Sequence, residues 1–341
     1  MFYFIIYLKK NDTLRIAKKI FGRVNMFSKI RKVAIVGTGL VGSSTAFSLI
    51  TQGICDEILM IDINKEKALG EVMDLKHCIE YLNRNTKIKV GDYEECSDVD
   101  IVVITAGAPP KPGQTRLDTL DLSAKIVESI VNPIMSSGFK GHFIIVSNPV
   151  DIIAYYVYKL SGLPKSNVIG SGTSIDSARL KNFIGDLFNV DPRSVQAYSM
   201  GEHGDSQMVP WSHVYIGGKP FNKVIEDNKD RVGEVDLDKL VLDTARAGWE
   251  VYNRKGTTYY AIASATVGII KAIINDENKI IPVSTLLDGE YGEYNVFSGV
   301  PAVLNSEGVK EVVEIDMTEE ELIKFKISNE IIREYINKLN N

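Results

Sequence analysis

KVAIVGTGLVGSSTAFSLITQG, residues 32–53, is the stretch on which the fold turns. KVAIV is a run of the length and composition of a buried strand, and it ends abruptly at Gly37. Gly37, Gly39 and Gly42 then make the pattern G-x-G-x-x-G, followed by apolar residues at helical spacing that stop at Gly53. Three glycines at this spacing are common by chance. Placed between a strand and a helix they are not, and a second apolar run, EILMID (57–62), ends on an acid, Asp62, twenty residues after Gly42. Each part has a physical task. Gly37 permits a tight turn, Gly39 lets the backbone approach a pyrophosphate, and Gly42 lets the helix pack closely on the strand, while the helix N-terminus offers N–H groups to the anion. Asp62 would accept hydrogen bonds from a ribose diol and repel a 2′-phosphate, which predicts NAD as cofactor in preference to NADP.

Outward from this stretch the same alternation continues. KIKVG, DIVVIT and HFIIVS are further short apolar runs, and helix-length segments such as LDTLDLSAKIVESIVNPIMSSG (117–138) lie between some of them. Continuous apolar strands alternating with helices predict an α/β fold with an N-terminal Rossmann-type parallel sheet covered on both faces. Beyond SNPVD (147–151) the character changes to longer helical stretches and alternating segments such as SHVYIGGKPF, predicting a C-terminal mixed α+β substrate domain. The expected division is an N-terminal extension at 1–26, an NAD-binding domain at 27–173 and a catalytic domain at 174–341, with Thr173 or Ser174 as the N-cap of the helix at the junction.

The bulk properties narrow the function. A chain of 341 residues has room for two domains, and 45% hydrophobic with 24% charged residues is ordinary for globular proteins. A net charge of −5 gives no electrostatic footprint for nucleic acid or an anionic membrane. Cys55, Cys78 and Cys96 are odd in number and widely spaced, without a CxxC pair, and read as reduced thiols of a cytoplasmic protein. His77 next to Cys78 lacks further ligands, so no metal site is expected. MFYFIIYLKK has an apolar run too short to span a bilayer, and its charges follow that run instead of preceding it. Met26 stands directly before FSKIRKVAIVGTG, and the rest of the chain needs nothing from residues 1–25.

Acid–base chemistry is legible in the second half. GSGTSIDSARLKNFIGDLF predicts a helix in which Asp176 and Arg179 share one face. In YSMGEHGDSQMVPW, His203 sits on a short loop bounded by glycines, poorly placed for a core and well placed for a ligand, with an ordinary pKa of ~6.5 suited to proton exchange. His142, heading an apolar strand, and His213, in an alternating strand-like segment, read as structural.

With these motifs in view, the chain resembles the L-2-hydroxy-acid dehydrogenases of the lactate and malate dehydrogenase superfamily, and among them the lactate dehydrogenases, over residues 30–338. VGTGLVGSS, ITAGAP, the loop carrying Arg116, SNPVD, IGSGTSIDSARL, GEHGDSQ and KGTTYYAIA occur in the family's order. The resemblance implies reversible hydride transfer between NAD and C2 of a 2-hydroxy acid, in fermentative or glycolytic pyruvate reduction. It implies His203 as the acid/base, Asp176 as the carboxylate that orients it, and Arg179 as the bidentate partner of the substrate carboxylate. Arg116 would close over the site and stabilise charge on the substrate oxygen. Asn148 would hydrogen-bond that oxygen near the nicotinamide, and Thr258 would line the substrate pocket. Gly107 and Ala108 would pass the cofactor, with Val41, Lys67, Tyr93 and Ser129 at further NAD positions and Ile262 beside the nicotinamide. The family is typically a homotetramer, sometimes a dimer.

Two departures stand out. Where lactate dehydrogenases of this type place glutamine and malate dehydrogenases arginine, this chain has Pro110, which would leave a second substrate carboxylate unpaired. A small 2-oxo or 2-hydroxy monocarboxylate is therefore the expected substrate, with an L-2-hydroxyisocaproate-like dehydrogenase as the alternative and malate less favoured. Where relatives activated by fructose 1,6-bisphosphate carry an arginine and a histidine, this chain has Lys181 and Gln196, which predicts weak or absent activation. Outside this class, an NAD-dependent glycosidase would need metal and sugar-binding groups, and a non-catalytic NAD-binding protein would be expected to lack His203, Asp176 or Arg179.

Overall fold

The computed structural model describes residues 31–107 and 119–339. The expectations for residues 1–26, Ala108, Pro110 and Arg116 lie outside the described residues.

Lys32–Val36 forms strand β1 and Leu40–Gln52 helix α1. The helix ends at Gly53, whose φ of 62° is the left-handed conformation that glycine adopts without a Cβ clash. Its N–H donates to the Ile50 carbonyl, so the stop signal works through backbone geometry. The chain continues through β2 (Glu57–Ile61), α2 (Lys65–Cys78), β3 (Lys87–Val90), β4 (Ile101–Ile104), α3 (Leu120–Ser136), β5 (His142–Ile145), α4 (Val150–Ser161) and β6 (Val168–Gly170). These six strands are parallel, in the order β3-β2-β1-β4-β5-β6. The order reverses between β1 and β4, and a crevice opens at the carboxyl ends of the strands there.

Both faces of the sheet are buried, which explains why the strands are apolar without alternation. Ala34, Val36, Leu59, Ile61, Val102 and Ile104 face one core with α3 and α4. Val33, Ile35, Ile58, Met60, Ile101 and Val103 face the other, with α1 and α2. Because side chains alternate across a strand, a slip of one residue in register would exchange the two sets without exposing a polar group. Here the glycine turn after Val36 fixes the register, since Gly37 donates to the Ile61 carbonyl at 2.8 Å.

The second half is α5 (Ser174–Phe188), the short strands β7 (Val195–Gln196), β8 (Tyr215–Ile216) and β9 (Lys219–Pro220), α6 (Phe221–Asp227), α7 (Lys229–Val232), α8 (Leu237–Lys255), α9 (Tyr260–Ile274), β10 (Lys279–Asp288), β11 (Tyr294–Asn305), β12 (Gly308–Val312) and α10 (Glu319–Leu339). Its long strands do not form a separate layer. β10 pairs antiparallel with β6 at Ser284 and Gly170, and β11 and β12 follow, so one sheet of nine strands runs through the molecule. A third core, with Leu180, Ile184, Phe188 and Phe221, packs α5 against α6.

Two local expectations need correction. Thr173 precedes α5, but its hydroxyl caps nothing, because the side chain is fully buried against Gly299; the Ser174 hydroxyl donates to the Ser171 carbonyl. SHVYIGGKPF forms no long strand. His213 ends a 3-10 turn, and β8 and β9 are two residues each, joined through Gly217 and Gly218 at positive φ.

Candidate active site

The glycine turn between β1 and α1 shows which glycines serve the fold. A Cβ on Gly37, at φ 97°, would lie 2.7 Å from the Ala106 nitrogen, and one on Gly42 only 1.9 Å from the Gly37 carbonyl oxygen. A Cβ on Gly39 would meet nothing within 4 Å. The fold therefore does not require glycine at 39, and the space beside it is open to a ligand. Gly39 is also the N-cap of α1 and supplies no side-chain cap, leaving first-turn N–H groups for an anion.

Asp62 lies just past β2, and its Oδ2 accepts from the Thr38 N–H at 2.6 Å and the Thr38 hydroxyl at 3.0 Å. Its other oxygen accepts from the Asn64 N–H at 2.8 Å. Burial alone would raise its pKa, but these N–H and hydroxyl donors, together with the Lys67 charge, hold it below the usual carboxylate value. The acid is thus ionised and fixed against the glycine turn. Lys67 is exposed in the first turn of α2. Tyr93 opens a 3-10 turn and is half-buried, which pushes its phenol pKa up. Ser129 lies exposed on α3, donating to the Ile126 carbonyl, and is not among the cleft-lining residues.

A cleft of about 370 Å³ opens from this turn toward the second half, a size suited to a small ligand and part of a cofactor. Val41, Gly107, Asn148, Arg179, His203, Thr258 and Ile262 all line it. Seven sequence-predicted positions from across the chain thus meet in one cavity. Asn148 follows β5 and Ser147, and joins Pro149 through a cis peptide bond before α4 begins. Its Oδ1 is buried without a hydrogen-bond partner among the described residues.

At the floor of the cleft, one carboxylate organises two cations or potential cations. Asp176, 1% exposed in the first turn of α5, accepts the His203 Nδ1 at 2.5 Å on Oδ2. On Oδ1 it accepts Arg179 Nη1 at 2.9 Å. The sequence placed Asp176 and Arg179 on one face and gave each a separate role; the structure joins them. His203 is held at the other end as well, its backbone N–H donating to Asp151 Oδ2 at 2.8 Å. With Nδ1 committed to a carboxylate, Nε2 is the ring atom left to exchange a proton with a ligand.

Among the described lining residues no acidic side chain faces the cleft, so its charge comes from Arg179 and from His203 when protonated. The cavity suits a small anion. Sequence reasoning missed several parts of it. Trp249 and Tyr252, with rings 5.5 Å apart, form a wall contributed by α8. Their i, i+3 spacing was the available signal, but it marks a shared helix face and not what that face meets. Asp151 was also missed as a site residue, although an acid inside VDIIAYYVY, an otherwise apolar helix, is a local anomaly.

Comparison with known proteins gives the family. The family model described as lactate/malate dehydrogenase, NAD binding domain, matches residues 31–170, and that described as lactate/malate dehydrogenase, alpha/beta C-terminal domain, matches 173–341. The chain is 58% identical over 306 residues to L-lactate dehydrogenase 3 of Bacillus cereus, covering 90% of this chain and 97% of that protein. It superposes on the crystal structure of the minor L-lactate dehydrogenase from Enterococcus mundtii in the ligands-bound form with a TM-score of 0.87, at 44% identity, covering 91% of this chain and 99% of that one. The Cryptosporidium parvum lactate dehydrogenase complexed with lactic acid and nicotinamide adenine dinucleotide matches with the same TM-score at 28% identity, covering 92% and 99%.

Proposed function

The chain belongs to the lactate/malate dehydrogenase family, and from that premise we propose that the cleft between Asn148, Arg179 and His203 is where its reaction takes place. The activity is the NAD-dependent interconversion of L-lactate and pyruvate. The L-2-hydroxyisocaproate-like alternative is not favoured, since the curated relatives are named L-lactate dehydrogenases.

The observation that carries the site assignment is the Asp176 carboxylate bridging His203 and Arg179 behind a cleft whose described lining residues include no acid. NAD fits the residues present. The open side of Gly39, the uncapped start of α1 and the ionised Asp62 would hold its pyrophosphate and ribose, with Val41, Gly107 and Ile262 along the path to the cleft. Lys67, Tyr93 and Ser129 are assigned to its outer contacts, and Ala108, outside the described residues, to its backbone contacts, from the family resemblance alone. When bound as NADH it supplies the hydride.

This chain's own residues do the rest. Arg179 binds the pyruvate carboxylate and orients the 2-oxo group toward His203. Protonated His203 gives its Nε2 proton to the carbonyl oxygen as the carbon is reduced, and Asp176 stabilises the imidazolium beforehand. The Asn148 side chain holds the same oxygen, while Thr258 lines the pocket. Arg116 and Pro110 lie outside the described residues. Arg116 is assigned the polarising role and Pro110 the exclusion of a second carboxylate, both on sequence. In the reverse direction His203 removes the hydroxyl proton.

In the same reading, residues 27–173 bind cofactor and 174–341 shape the substrate site. The protein works in the cytoplasm on a small monocarboxylate, as a homotetramer. Exposed Leu40 and Phe47 on α1, Leu69 and Met73 on α2, and Leu242 and Val251 on α8 support burial of these helices between copies. Among the described residues no helix is long and apolar enough to cross a membrane.

His203→Ala and Arg179→Leu test the assignment. Both are expected to lose turnover by at least about a thousandfold while NADH affinity stays within about threefold. Retained turnover in either variant refutes it.

A further inference from the structure

Among the described residues, Asp151 is a buried charged group beside the site whose placement the reaction as described does not use. It is 2% exposed, in the first turn of α4, where Val150, Ile152, Ile153, Ala154, Tyr155 and Val157 are all buried too. Among the described residues no lysine or arginine forms an ion pair with it. Burying a carboxylate without a cationic partner is unfavourable by several kcal/mol, and an apolar residue would suit this helix face better.

What Asp151 does instead is accept a main-chain hydrogen bond from a residue 52 positions away, His203. The loop 200–207 has other anchors. Gly201 bridges to Gly299, the Glu202 N–H donates to the Ser328 hydroxyl at 2.8 Å, and the Gln207 amide donates to the Gly204 carbonyl at 2.9 Å. None of these acts on residue 203 itself. His203 has two fixed points, its ring on Asp176 of α5 and its backbone on Asp151 of α4.

The position of α4 makes the second point specific. The helix starts directly after Asn148 and Pro149, and Asn148 lines the cleft. The Ser284 hydroxyl of β10 lies beside the Asp151 carboxylate, at the pairing where β10 joins β6. One side chain therefore joins the helix that follows the Asn148 turn to the His203 loop. We infer that Asp151 is a positioning residue for the reaction, holding the His203 backbone in register with Asn148 so that both side chains meet the same substrate oxygen. This inference rests on the reading of His203 as the proton donor.

The acceptor oxygen, and not the charge, is what positioning requires, and substitution can separate the two. Asp151→Leu keeps roughly the volume and removes the acceptor; Asp151→Asn keeps the acceptor and removes the charge. Two readouts are taken on the full chain: amide hydrogen exchange at His203 without substrate, and steady-state kcat and KM for pyruvate with NADH. Asp151→Leu is expected to lose protection at the His203 amide and to lower kcat by about tenfold or more, with the KM for NADH within about threefold. Asp151→Asn is expected to recover most of both.

Should the leucine variant not fold, Asp151→Ala is read by the same criteria. A fully protected His203 amide or a kcat within about twofold of wild type in the variant lacking the acceptor overturns the inference. So does an asparagine variant that is folded and as slow as the leucine one. If the wild type itself fails to reduce pyruvate, the site assignment has failed, and the exchange measurement still decides whether Asp151 tethers His203.

Discussion

At the scale of single residues, the site places two buried acids against one histidine under different conditions. Asp176 shares its charge with His203 and Arg179, whereas Asp151 accepts the His203 main-chain N–H on one oxygen and, among the described residues, nothing on the other, with Glu202 and His203 as the charged neighbours that act on it. Burial accordingly pushes the Asp151 carboxyl up to about 6, against the opposing pull of Ser284 and the His203 N–H. The sign of the effect on stability follows from linkage. The folded protein holds this proton more tightly than the unfolded chain, whose aspartates titrate near ~3.9. The contribution of Asp151 is therefore most favourable below pH ~4 and falls as pH rises to about 6, by about 3 kcal/mol in total. Asp151→Asn has no charge to bury, so its stability relative to wild type is expected to grow across that window. Urea melts of both proteins between pH ~4 and ~7 measure this. A difference that does not change with pH would contradict the burial account.

At the scale of elements, the turn between β1 and α1 separates glycines that build the fold from one that serves the ligand. Gly42→Ala drives a Cβ into the Gly37 carbonyl and is expected to destabilise the protein by about 1–3 kcal/mol. Gly39→Ala meets open space, so melting should be nearly unchanged while NADH binding weakens by about tenfold or more. Thermal melts and NADH titration of the two variants check the pair, and a Gly39→Ala variant with normal NADH affinity would contradict the assignment of that space to the cofactor. This element was legible in sequence because all its signals are local: a strand run, glycines at fixed offsets, a helix stop at Gly53 and an acid at 62. The pairing of β10 with β6 was not, since it rests on one contact between Ser284 and Gly170 far apart in the chain. The His203–Asp176 and His203–Asp151 bonds span 27 and 52 residues. Spacing alone cannot show such contacts; the family resemblance supplied the first, and only the fold revealed the second. Trp249 and Tyr252 were hidden for the same reason, as a helix face whose opposite wall comes from distant segments.

At the scale of the whole molecule, the sequence departures at Lys181 and Gln196 lead to an expectation for regulation, and Pro110 to one for specificity. Lys181 is half-buried, with its nitrogen 5.6 Å from the centre of the Tyr198 ring, and burial followed by the Lys279 charge lowers its pKa. A lysine over an aromatic ring and an exposed Gln196 that cannot become cationic predict weak binding of a sugar bisphosphate. Fructose 1,6-bisphosphate up to about millimolar levels is expected to change the KM for pyruvate by less than about twofold; a large fall would overturn this. The central claim concerns the substrate: in the proposed reading Arg179 is the cation for one carboxylate, and among the described lining residues no second arginine or lysine is present to pair another. The most direct test is kcat/KM with NADH across pyruvate, oxaloacetate, 2-oxobutyrate and 2-oxoisocaproate. Pyruvate is expected to lead, with oxaloacetate lower by about a hundredfold or more. A lead by oxaloacetate or by 2-oxoisocaproate would contradict the account.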